Sequence, residues 1–303
     1  MEPYRTAFTT ARRRLDGRLY PMQLFQKAKR LGVWDPRAFD LAHDREDWLG
    51  LNERERDLLL RLTTLFEAGE ESVTYDLLPL LQVAAAEGRV EEELFLTTYL
   101  WEEAKHVEAF HRVLEEIAGV EDGLERYYTD AYRRIFLDVL PRAMDRLRAD
   151  AAPEALAEAA VTYQMVVEGV LAETGYHAYY AMLERNDLMP GLRAMVQQVQ
   201  QDESRHIAYG VFLLSRLVAE HGEPLWTVID RRMNDLLPLA VQIIAESLEP
   251  YGDDIPFGLT ADDFVDFGMA QFQKRYARIE RARHQPLEVV LYGQAEAAAG
   301  RAT

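Results

Sequence analysis

Acids and histidines stand where amphipathic helices should be apolar, and that conflict limits the folds open to this chain. Glu103-Ala104-Lys105-His106 and Glu203-Ser204-Arg205-His206 repeat the pattern Glu-x-x-His, each within a long run of helical periodicity. A Glu and a His three residues apart project from one helix face. Around the first motif the stripe reads Leu96, Tyr99, Glu103, His106, Phe110, Val113 and Ile117, so both motif residues are expected to face a core. An earlier run carries Leu59, Leu62, Phe66, Glu70, Val73, Leu77 and Leu80 in steps of three or four, with Glu70 inside the stripe. Two such motifs, completed by a lone acid from each of two further helices, are how a helical bundle holds two metal ions.

The rest of the chain supports an all-α reading. Gly and Pro fall mostly between periodic blocks, and no stretch alternates like a strand. The first long block opens at Asn52-Glu53-Arg54-Glu55, an Asn cap with Glu at the third helical position, and is expected to end near Gly88. A second spans about 90–118 and stops at Gly119; a third, 123–150, contains Pro141 as an expected kink. A fourth runs from Pro153 to about Asn186, and a fifth from Pro190 to just before Gly222. Blocks joined by tight turns run antiparallel, so the first pairs with the second and the fourth with the fifth, the third being the long crossover. Further patterns over 223–249, with Pro238, and 260–283 are expected to buttress the bundle. The small and polar residues after about Gly293 are expected to be disordered. No linker divides the chain, which reads as a single helical domain over 1–303 with its dimetal core at about 52–221.

Composition narrows the chemistry. The 303 residues carry a formal net charge of −18, so a nucleic-acid backbone or an anionic membrane would be repelled. There are no cysteines, which excludes thiolate metal sites and thiol nucleophiles and fits a reducing compartment. Residues 1–15 include Arg5 and Arg12 to Arg14 but no apolar segment behind them, and no run reads as a membrane span. The expectation is a cytoplasmic protein whose metals are bound by oxygen and nitrogen.

The lone acid of the fourth block has two candidates. Val161, Met165, Glu168, Leu171 and Gly175 form one stripe, and Val166, Val170, Glu173, His177 and Tyr180 another. Levelling the ligand with its antiparallel partner leaves Glu168 and Glu173 both viable. A third short match, Glu108-Ala109-Phe110-His111, lies off its stripe and is assigned no metal role. Four carboxylates converging in an apolar interior repel one another and hold protons, a cost that two divalent cations remove. Four carboxylates and two imidazoles suit iron or manganese, with positions left for oxygen or substrate. Metal-bound imidazoles usually donate their second N–H to an acid; Asp202 is expected to orient His106, and Glu102 to orient His206.

The series Glu70, Glu103-x-x-His106, Glu168, Glu203-x-x-His206 resembles the small subunit of class I ribonucleotide reductase over roughly residues 50 to 210. The fold it implies is a ferritin-like four-helix bundle. Within that superfamily the chain is more similar to the ligand-binding oxidases, which assemble a manganese/iron site and hold a long-chain fatty acid beside it. Where radical-bearing subunits commonly have a tyrosine one turn after the first motif histidine, this chain has Phe110. Their lone first ligand is often Asp; here it is Glu70. Val73, three residues after Glu70, and Tyr163, five before Glu168, occupy the places of a valine and a tyrosine that become joined by an ether bond in the oxidases. The resemblance thereby selects Glu168 over Glu173. Antiparallel packing moves both side chains to the same side of the metal plane, by about 4.5 and 7.5 Å along the axis. On the residues alone, Val73 is ordinary core and Tyr163 a buried phenol.

The resemblance implies an oxidase that uses O2 and a manganese/iron pair, or two irons, to remove hydrogen from a C–H bond. Val73 and Tyr163 are its implied internal target, and a fatty-acid-like ligand and a homodimer its implied partners. The electron donor has no signature in the sequence. Three rivals remain at this stage: a radical-generating reductase subunit, whose tail would include Tyr292; a ferroxidase or metal store; and a metal-free interaction bundle.

Overall fold

The structure, a computed structural model, describes residues 7–120 and 122–293. Four long helices form its centre. The first, Glu53–Asp76, begins with the expected capping box: the Asn52 side chain accepts from the Arg54 and Glu55 amides, and the Glu55 carboxylate accepts from the Asn52 amide. It ends earlier than the periodicity suggested. Pro79 lies in the first turn of a separate helix, Leu78–Ala86, and its missing N–H cannot continue the ladder through Leu77.

The second core helix is Val90–Arg112, continued in π form over Val113–Ala118 and closed by Gly119 at φ 68°. The crossover is more broken than expected: a turn of 3-10 helix at Leu124–Tyr127, then Asp130–Arg134, a π segment Ile135–Val139 and Leu140–Arg146. The π winding directly precedes Pro141, where an α-helical ladder would lose a donor.

The third core helix runs through Pro153–Glu184, and by length and composition it could cross a membrane, which the sequence reading did not anticipate. Its apolar window is 83% buried, because neighbours pack on every side and leave no polar face to signal burial within a fold. Its middle, Val161–Ala172, is π-helical. The fourth, Pro190–His221, crosses close to it: a Cβ on Gly210 would stand 2.2 Å from the Gln164 Cβ. Helices Glu223–Leu248 and Ala261–Glu280 pack against the π segment of the third helix, as the expected buttresses. Among the described residues the only strand-like pairing is the isolated bridge Ile255 to Leu259.

Two N-terminal helices, Tyr20–Leu31 and Ala42–Gly50, were not anticipated. The first packs across the second and fourth core helices and delivers Trp34 to the centre of the bundle. The segment beyond about Gly293, expected to be disordered, lies outside the described residues.

Candidate metal centre

Six side chains from the four core helices converge at mid-bundle. Ligand atoms of Glu70, Glu103, His106 and Glu203 lie within 4.8 Å of one another, as do those of Glu103, Glu168, Glu203 and His206. Glu103 and Glu203 belong to both groups and stand between them. All six residues are buried. Glu173, the alternative to Glu168, faces the Arg275 guanidinium at 3.5 Å instead. The decoy pair is elsewhere: His111 is largely exposed and bonded to Glu67, and Glu108 pairs with Arg37. Glu168 projects from the π stretch of the third helix, a winding often found at functional sites.

Each imidazole turns one nitrogen outward and one inward. His106 Nε2 lies 3.3 Å from Asp202 Oδ2, and His206 Nε2 lies 2.9 Å from Glu102 Oε2. Inward, His106 Nδ1 is 3.4, 3.7 and 3.3 Å from oxygens of Glu70, Glu103 and Glu203, yet makes no aligned hydrogen bond. His206 Nδ1 is 3.0 and 3.2 Å from Glu103 and Glu203. Both oxygens of Glu103 and one each of Glu168 and Glu203 are buried with no hydrogen-bond partner. Orphaned buried acceptors are rare in native proteins, and several around one point mark the place of a cation.

Protonation makes the same point. Burial pushes Glu70 and Glu168 well above the ordinary carboxylate range, with the charges of neighbouring glutamates adding to the shift. Glu103 goes the other way: burial would raise it, but the two imidazoles of His106 and His206 close beside it hold it at about 2. Both histidines are raised well above their usual value, since the surrounding carboxylates outweigh the burial that would lower them. Groups shifted in this direction hold protons that a pair of divalent cations would displace. The residues therefore fit a dinuclear metal group.

Behind the imidazoles lies a connected polar shell, in which Arg205 Nε alone lacks a partner and much of which the sequence reading missed. Lys105 donates to Asp202 at 3.0 Å and to the Gly32 carbonyl at 2.6 Å, with its ammonium between the Trp34 and Trp101 rings. Trp34 Nε1 donates to Asp202 at 2.8 Å. Arg205 donates to Glu102 at 2.6 Å and also to Asp202. A signal for these cations was present: both motifs read acid-Glu-x-cation-His, as Glu102-Glu103-Ala104-Lys105-His106 and Asp202-Glu203-Ser204-Arg205-His206. Each cation pairs with the acid that precedes the other motif.

Two phenols flank the centre. Tyr163 donates to the Val73 carbonyl oxygen at 3.0 Å, placing the two residues together on one side. Tyr99, read only as stripe, stacks on His206 at 3.6 Å between ring centroids and hydrogen-bonds Glu168. Phe110 stacks on Phe66 at 4.8 Å. Beside the carboxylates opens a cavity of about 140 Å³, walled by the first and third core helices and by Ile243, Ile244 and Ser247 of the helix beyond them.

Residues 22–280 match the family model described as ribonucleotide reductase, small chain. An R2-like ligand-binding oxidase with an aerobically reconstituted Mn/Fe cofactor after a long soak is 35% identical, with a TM-score of 0.88 over 92% of this chain and 99% of the other. A valine-to-isoleucine mutant of an R2-like ligand-binding oxidase, with aerobically reconstituted Mn/Fe cofactor, gives 35% and 0.88 over 91% and 100%. A tyrosine-to-phenylalanine mutant with anaerobically reconstituted Mn/Fe cofactor gives 34% and 0.88 over 92% and 100%. The fold is thus the ferritin-like one. With the family model covering most of its length, the chain belongs to the ribonucleotide reductase small chain family.

Proposed function

We propose that this protein is a metal-dependent oxidase of the ligand-binding type, with a manganese/iron pair held by Glu70, Glu103, His106, Glu168, Glu203 and His206. The observation that carries the reading is the pair of overlapping Glu/Glu/Glu/His groups with unpaired oxygens opening onto an apolar cavity. When bound, the metals supply activation of O2 and the oxidising power for removing hydrogen from an unactivated C–H bond.

The chain's own residues set what is oxidised and where. Asp202 and Glu102 hold the two imidazoles by their outer nitrogens, leaving Nδ1 of each to the centre. Apolar packing around the carboxylates excludes water from the reacting bond. Val73 lies in the cavity wall next to Glu70, and the Tyr163 phenol is already hydrogen-bonded to the Val73 main chain. In the first turnover the Tyr163 O–H and the Val73 Cβ–H are lost and an O–C bond forms. The two electrons and two protons released would go to O2, and the metals held by the six ligands would supply the two further electrons that its full reduction needs. A narrow apolar cavity beside this point fits the aliphatic chain of a fatty-acid-like ligand. Phe110 disfavours a reductase-type tyrosyl radical one turn beyond His106.

The test is intact-mass and peptide analysis before and after aerobic loading with manganese and iron. The reading requires a loss of two hydrogens confined to peptides containing Val73 and Tyr163, and absent in Tyr163→Phe. An unchanged mass in fully loaded protein contradicts the cross-link.

A further inference from the structure

The cavity beside the metal centre has two chemically different ends. One face of the first core helix lines it, with Val73, Gly69, Leu65 and Arg61 in steps of four and Glu70 at the metal end of the neighbouring row. Nine residues separate Glu70 from Arg61, a rise of about 13 Å. Between them the wall is apolar, and the cavity volume of about 140 Å³ spread along this length makes a bore suited to an extended chain.

Arg61 at the far end is an underused cation. Its side chain is only 13% exposed, and its nearest carboxylate, Asp57, is 3.8 Å away. Both oxygens of Asp57 are already engaged, accepting from the Tyr127 hydroxyl at 2.9 Å and the Tyr251 hydroxyl at 2.6 Å. The guanidinium lies against the faces of those two rings, at 4.9 and 5.9 Å, with a looser contact to the Tyr251 hydroxyl. Its Nε is buried and has no acceptor. A guanidinium offers five donors in a planar fork matched to a carboxylate. If Arg61 only snorkelled over the tyrosines to seal the mouth, its donors would reach water; the buried Nε does not.

We propose that Arg61 recognises the far end of the ligand, so that the preferred substrate is an aliphatic chain bearing an anionic oxygen group at both ends, one at the Glu/His centre and one at Arg61. This rests on the oxidase reading above and adds a chemical requirement at the end of the chain remote from the metals.

The experiment compares two probes that differ only at that end. Dodecanoate and dodecanedioate are titrated calorimetrically into protein loaded with manganese and iron. The diacid should bind about tenfold tighter, equivalent to about 1.4 kcal/mol. Arg61→Gln should abolish the preference without changing dodecanoate affinity, and Arg61→Lys, which keeps the charge but loses the fork, should retain part of it. Equal affinities in the unmutated protein, or a preference surviving in Arg61→Gln, overturn the proposal and leave the oxidase reading standing. Binding of neither acid overturns both the proposal and the cavity's role as a ligand site, while the mass test still judges the oxidase chemistry. Should both variants fail to fold, the two acids against the unmutated protein decide.

Discussion

The two sides of the paired imidazoles are built oppositely. On the outer side, Asp202, Glu102, Lys105, Arg205 and Trp34 engage one another and both Nε2 atoms in a connected set of hydrogen bonds and ion pairs. On the inner side, His106 Nδ1 and four carboxylate oxygens have no hydrogen-bond partner. The acids and cations of the outer side are buried like the inner ligands, so solvent cannot explain the difference. On the outer side Arg205 Nε is the one atom of this set without a partner, whereas the inner side gathers five around one point, as a site kept for something else would. The outer side fixes direction, and the inner side supplies charge.

Removing an inner ligand should have the largest effect. His206→Ala or Glu203→Ala should reduce metal content from a pair per chain to at most one ion, read by elemental analysis after gel filtration. Full stoichiometry in either variant would mean that the converged groups are not the binding site.

Breaking the outer side should cost stability as well as affinity. Asp202→Ala strands the buried Lys105 ammonium and releases His106, so unfolding free energy should fall by about 3–5 kcal/mol. Metal affinity, measured against a competing chelator, should drop roughly 10–100-fold. Asp202→Asn, which keeps the shape but not the charge, should fall between. An unaltered affinity in Asp202→Ala would remove its role in orienting the imidazole.

The same contrast has a pH signature. Glu70, Glu168, His106 and His206 all titrate above their ordinary values in the metal-free fold. Groups raised in this way stabilise the fold below their unfolded pKa and lose that contribution as pH rises through the folded one. Metal-free protein should therefore lose stability as pH rises above the ordinary carboxylate range, and loaded protein, having already released those protons, should not. The gap between the two melting temperatures should widen with pH. Asp76 serves as an internal control, since burial raises it to about 6 away from the centre and its contribution should be lost through that pH in both forms alike. A gap that is constant with pH would contradict protonation of these ligands in metal-free protein.

The smallest effect is expected at the decoy motif. Glu108→Ala should leave metal content unchanged and alter stability by no more than about 0.5 kcal/mol, because its partner Arg37 is itself exposed. A loss of metal there would show that helical spacing outweighs burial in defining the ligands.

Glu70, Glu103 and His106 were legible in the sequence because each interrupts a stripe that is otherwise apolar, and a helix repeats closely enough to say which face a residue takes; Glu203 and His206 stood out as the repeat of the same Glu-x-x-His spacing. Glu168 was not separable from Glu173 by the same logic. The third core helix is buried nearly all round, so both stripes look like core, and π winding over Val161–Ala172 shifts the register that α-helical counting assumes. The resemblance to the oxidases, not the periodicity, chose between them. Trp34 escaped because it lies in an irregular segment between short N-terminal helices, reaching the centre from a part of the chain with no periodic pattern of its own. The cations Lys105 and Arg205 were visible as letters, but their crosswise pairing with Asp202 and Glu102 depends on two helices meeting side by side. Likewise, nothing in the apolar letters of the first core helix distinguished the wall of a cavity from packed core.

The central claim is that the starved inner side holds two cations, and crystals of protein loaded with both metals test it most directly. Anomalous difference maps collected at the manganese and iron edges should show two peaks, one within the Glu70, Glu103, His106, Glu203 group and one within the Glu103, Glu168, Glu203, His206 group. Maps without a peak between Glu103 and Glu203 in such crystals would contradict it.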